Sequence, residues 1–176
     1  MINKYLFFVL ITFFINNSVY SASTSSSSSG AQSDGREDIS FLNVKNSNYK
    51  KGLNALKQAK KYEKKEKFDK SKKRFNDSLS FFTLANEEYP NEPDILNYLG
   101  YTSRKVGDFI MAEIYYLQGL TINSEHIGIN EYLGELYVET NRIELAKQRL
   151  KVLESCNCEE YNDLKEIIAG TKKSKY

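Results

Sequence analysis

Asn97-Tyr98-Leu99-Gly100-Tyr101 recurs as Glu131-Tyr132-Leu133-Gly134-Glu135, shifted by 34 residues in a chain of 176. The same shift pairs Ala112 with Ala146, Tyr116 with Leu150 and Asp108-Phe109 with Arg142-Ile143. A fixed period of this length marks a stack of small units, each too small to bury its apolar side alone. The apolar rhythm inside the unit is helical. Ile95, Leu96, Leu99 and Thr102-Ser103 follow three-and-four spacing and end at Gly107, where a left-handed residue stops a helix. Asp108 can cap a second helix that carries Phe109, Ala112, Tyr115, Tyr116, Gly119 and Leu120 on one side. Gly and Ala at the contact points let two helix axes approach, so a large residue at Gly100 or Gly134 is expected to push them apart.

The order Leu-Gly, Gly-Asp-Phe, Ala, aromatic, Gly-Leu resembles the signature of the tetratricopeptide repeat (TPR). It covers 93–126 and 127–160. Two positions depart from it: Ser124 and Cys158 stand where a closing Pro is usual, and Asn141 where a Gly is usual. Asn also tolerates the left-handed turn. Lys67-Phe68-Asp69-Lys70-Ser71 is similar to a worn copy of the same turn, which makes 46–92 a degenerate first repeat. Its second helix runs on to Glu88, because Pro90 falls about two helical turns later than in a standard unit. Glu159-Glu160-Tyr161 opens a last helix, with Leu164, Ile167 and Ile168 on its apolar side and Gly170 at its end. Residues 159–170 thus resemble the capping helix of repeat arrays. The resemblance implies an all-α fold, a TPR-like right-handed superhelix of helix-turn-helix repeats (an α-solenoid). Beyond the general repeat, Asn97 to Tyr101, Arg104-Lys105-x-Gly107-Asp108, Glu131 to Tyr137 and Cys156-x-Cys158-Glu159-Glu160-Tyr161 resemble an exported, alphaproteobacterial subgroup of TPR proteins.

The first 45 residues have a different character. Lys4, the apolar run Tyr5 to Ile15 and the small residues near Ser21 read as a signal peptide over 1–21. The run is about 11 residues, and a bilayer span takes about 20. Cleavage and a soluble periplasmic protein are expected, with a retained membrane anchor as the alternative. Residues 22–45 are rich in Ser and have too little apolar surface to offset chain entropy, so they read as a disordered linker. Residues 171–176 form a basic tail.

The net charge of +2 hides a division. Lys50 to Arg74 holds twelve basic residues against three acidic, and Phe75 to Tyr176 holds ten against seventeen. The resemblance to TPR arrays implies a concave groove lined by the first helix of each unit. Its candidate partner-binding residues are Asn97, Tyr101, Arg104 and Lys105 in the second unit and Glu131, Glu135 and Glu139 in the third. The three glutamates share one helix face, where like charges cost about 0.2–0.5 kcal/mol per pair. Two readings stand. Either Arg104 and Lys105 neutralise the stripe in an internal salt-bridge lattice, or both charges serve a protein or peptide ligand.

Thirteen Tyr and no Trp suit both repeat packing and interfaces. Cys156 and Cys158 are the two cysteines. Export permits a disulfide between them, and the one-residue spacing strains it, so the bridge stays open. His126 is the sole histidine, in the loop between units, and no catalytic or phosphate-cradling motif accompanies it. The sequence therefore predicts a binding protein rather than an enzyme, with no metal, cofactor or nucleic-acid partner. Self-association or attachment to an anionic membrane surface through the basic first unit is the alternative; catalysis is the remote one.

Overall fold

A computed structural model describes residues 47–174. The expected signal peptide and linker lie outside these residues. The described chain forms seven α-helices: α1 (Ser47–Glu63), α2 (Phe68–Glu88), α3 (Pro93–Val106), α4 (Phe109–Ile122), α5 (Ile127–Glu139), α6 (Ile143–Val152) and α7 (Glu159–Ile168). A 3-10 turn, Leu153–Ser155, joins the last two. Consecutive helices pack as antiparallel pairs, α1 with α2, α3 with α4 and α5 with α6, and α7 closes against α5 and α6. Among the described residues there is no strand. The fold is all-α and TPR-like.

Local chemistry explains the turns. Gly107 takes φ +95° after α3, and Asp108 accepts the Met111 backbone N–H at 3.0 Å to cap α4. The cap is worth about 1 kcal/mol. In the third unit Asn141 makes the corresponding turn at φ +59°. α2 has 21 residues against 14 for α4, and it ends at Glu88, just before Tyr89-Pro90. Proline's missing N–H and the restriction on the residue before it set that end.

Close helix contacts rest on small residues. A Cβ on Gly100 would lie 2.4 Å from the Tyr116 ring, and one on Gly52 2.7 Å from the Phe82 ring. Gly134 serves a different contact from the one expected within its own pair. A Cβ there would lie 2.5 Å from Leu164 on α7, so this glycine admits the closing helix. In the first unit, Ser71 stands where the second has Ala112, and its buried hydroxyl donates to the Ala59 carbonyl at 3.0 Å. One apolar cluster spans α1 to α3, around Phe75, Phe82, Ile95 and Leu99. A second spans α4 to α6, around Tyr116, Ile129, Leu133 and Ala146. Tyr132 packs against both.

Candidate partner-binding groove

The first helices of the three pairs, α1, α3 and α5, are linked side by side through their polar residues. The links form a row. Lys60 of α1 places its Nζ 4.7 Å above the Tyr101 ring of α3. Tyr101 in turn meets the Tyr132 ring of α5 at 5.3 Å and Phe75 at 6.3 Å. Beside this row, Lys105 pairs with Glu63 at 2.5 Å, its Nζ 5.1 Å from the Phe75 ring.

Arg104 is the centre. Its Nε donates to Glu139 at 2.8 Å. Its Nη1 reaches Glu135 at 3.5 Å and the Tyr132 carbonyl at 3.3 Å. Its Nη2 donates to the Ser174 hydroxyl at 3.0 Å, and that hydroxyl donates onward to Glu135 at 2.6 Å. The side chains of Arg104 and Glu135 are both 0% exposed. A guanidinium suits this place because its planar fork of N–H groups serves several acceptors at once. Of the two readings open from sequence, the internal lattice describes Arg104, Glu135 and Glu139 in this structure, whereas Lys105 pairs with Glu63 of α1 rather than with the stripe.

The other candidates are buried as well. Tyr101 is 4% exposed, packed between aromatic rings, and its phenol is pushed well above the usual range. Burial is the main cause, followed by Tyr132, Glu63 and Glu135, with Arg104 opposing them. Asn97 fits into room left by Gly128, and Glu131 is buried on α5. Most of the groove floor is therefore covered in this state, with Glu139, about one-third exposed, at its edge. Part of the cover is the chain itself: after α7, Gly170 takes φ +74° and the segment 171–174 runs back over Arg104 and Glu135. Lys172 of that segment pairs with the buried Asp163 of α7.

Ser174, Lys172, Asp163, Tyr132 and Lys60 were not among the sequence candidates. The signal for Lys172 was available in the charges, a basic tail and three stacked glutamates in one short domain, and nothing in the sequence singles out Ser174. At the opposite end the groove stays open. Leu53, Leu56, Lys57, Lys60 and Lys61 of α1 line a depression of about 720 Å³ with apolar walls and a lysine rim. Cys156 and Cys158 are joined by a disulfide at the α6–α7 junction. His126 accepts the Ile129 N–H on Nδ1 at 3.1 Å, which caps α5, and its Nε2 meets Asp94 of α3 at 3.1 Å. That arrangement sets the tautomer, with the proton on Nε2.

Two solved structures share this architecture. The Arabidopsis OM64 TPR domain is similar at a TM-score of 0.51 and 12% identity, over 71% of this chain and 99% of that one. The first TPR of Spaghetti (RPAP3), bound to the HSP90 peptide SRMEEVD, is similar at a TM-score of 0.50 and 20% identity, over 69% of this chain and 94% of that one. At these identities the likeness concerns the fold. No family model and no curated protein matches the chain.

Proposed function

We propose that the protein is a non-catalytic interaction module that takes a peptide or protein surface along α1, α3 and α5, as a scaffold or adaptor in the cell envelope. The observation that carries this reading is the apolar, lysine-rimmed depression on α1, beside the row Lys60, Tyr101 and Tyr132 that ties the first helix of each pair to the next. Lys60 is the exposed member of that row, and Tyr101 is packed beneath it. The TPR neighbour bound to a peptide supports the same use of the fold. The open α1 depression, apolar with a lysine rim, suits the acidic part of a ligand. Export to the periplasm, in the manner of the alphaproteobacterial proteins the chain resembles, supplies the compartment in which the Cys156–Cys158 bridge persists.

A peptide-display selection on the full chain tests the proposal. Selected peptides should bind the Lys57→Glu/Lys61→Glu variant at least tenfold more weakly. Both lysines are exposed, so the variant keeps its core. Equal binding to both chains would remove the groove as the site.

A second reading rests on the exposed lysines of α1 and of the turn after it, including Lys57, Lys61, Lys64 and Lys65, which suit an anionic surface or an acidic face of another copy. Association of that kind should disappear as salt rises from 0.05 to about 0.5 M, because screening acts most strongly on exposed charges.

A further inference from the structure

The two halves of the groove differ in chemistry. The α1 half is lysine-rimmed and open. The α5–α7 half carries Glu131, Glu135, Glu139 and Asp163, and residues 171–174 lie across it. We infer that this acidic half is a receptor for short segments bearing lysine and serine, and that residues 171–174 are its resident, displaceable occupant. The inference rests on the groove reading above and names a ligand class for one half of it.

The contacts are those of a ligand rather than of a loose end. Ser174 is 70 residues from Arg104 and 39 from Glu135 in sequence, yet its hydroxyl bridges the two. A hydroxyl can accept from the guanidinium and donate to the carboxylate through one atom. An alanine could do neither, and a carboxylate would face Glu135 as a like charge. Two residues earlier, Lys172 finds Asp163, a carboxylate 4% exposed on α7. The path is imposed by the helix end. Gly170 takes the left-handed turn, and the N–H groups of Thr171 and Lys172 both donate to the Glu166 carbonyl, which turns the chain back toward α5. Beyond that turn the segment makes its contacts through two side chains two positions apart, Lys172 and Ser174.

The occupant is also held lightly. The Lys172 side chain is about one-third exposed, and Lys173 is exposed. What favours the resident is its tether. A segment linked this closely acts at an effective concentration on the order of millimolar, so a free peptide of the same sequence competes poorly until the resident is weakened.

The experiment uses the full chain and a fluorescein-labelled, C-terminally amidated peptide Ala-Gly-Thr-Lys-Lys-Ser, the sequence of residues 169–174. Fluorescence anisotropy compares the native chain with the Lys172→Glu/Ser174→Ala variant, whose folding is checked by circular dichroism. The peptide should bind the variant at least tenfold more tightly than the native chain. A peptide with Ala in place of Ser should lose at least threefold, and one with Glu in place of both Lys should not bind. If the double variant unfolds, Ser174→Ala alone takes its place, with at least a threefold gain expected. No binding to a folded variant, equal binding to native and variant chains, or indifference to the serine would overturn the inference. None of these outcomes touches the α1 half, whose lysine variants test the broader reading separately.

Discussion

Replacing Arg104 by Met separates a structural role from a ligand-binding one. Met keeps much of the apolar stem and removes the charge and every donor. In the folded chain this would leave the buried carboxylate of Glu135 without its guanidinium, and Glu139, the Tyr132 carbonyl and Ser174 would each lose a donor. Breaking one side of a buried ion pair costs about 3–5 kcal/mol, because the remaining charge stays desolvated. Against a total stability on the order of 5–15 kcal/mol, that is a large share. For a chain of this size each kcal/mol lowers Tm by about 2–4 °C, so a fall of roughly 6–20 °C is expected by thermal circular dichroism. The companion variant Arg104→Met/Glu135→Leu removes both buried charges and should recover most of the loss, since apolar replacement of a whole buried pair is often close to neutral. A single variant melting within about 2 °C of the native chain would refute the reasoning. It would mean that the guanidinium can leave its site at little cost and is available to a ligand. The same geometry warns against charge reversal here as a binding test, since Arg104→Glu sets a third carboxylate beside Glu135 and Glu139.

Gly100→Ala should destabilise despite Ala's better helix propensity, worth about 1 kcal/mol. Its Cβ would overlap the fully buried Tyr116 ring, and overpacking of that kind costs about 1–3 kcal/mol, readable as a lower urea midpoint. His126→Ala should lose about 1 kcal/mol through the α5 cap, and His126→Asn should recover most of it, because Asn caps as well. The stability contributed by three buried tyrosines should be fully present below about pH 10 and be lost above it. The phenols of Tyr49, Tyr101 and Tyr116 are raised chiefly by burial, so the unfolded chain releases their protons first and gains relative to the folded one as pH rises. Absorbance at 295 nm should show these tyrosines ionising together with unfolding; smooth titration in a chain that stays helical would contradict their burial.

The repeat, the turns and the long second helix were legible because their determinants are local. Gly107-Asp108, Asn141 and Pro90 act on their own backbone, and the 34-residue spacing brings like positions into register. The closing helix was legible from its apolar spacing, although Gly134 serves it rather than the expected pair. The site was only half legible. Sequence placed Arg104 and the three glutamates near one another and left their use open. What closed the groove over them is the return of residues 171–174, a contact across 70 residues that no periodic pattern announces. Tyr101 shows the same limit. Its spacing puts it on the first helix of its unit, and only the neighbouring Phe75 and Tyr132 rings make it a buried packing residue. Capping by His126 escaped notice because histidine is not among the usual N-cap residues.

His126 ties together two helix beginnings. One ring nitrogen finishes the start of α5, and the other holds Asp94 in the first turn of α3. Loss of the third unit would therefore strip a partner from the second, and the reverse. In a linear array the sharpness of melting depends on how strongly neighbours are coupled relative to the stability each unit has alone. With this bridge at one edge and the Arg104 lattice at the other, α3 to α6 should melt as one cooperative block, and a ligand that grips either unit would hold both.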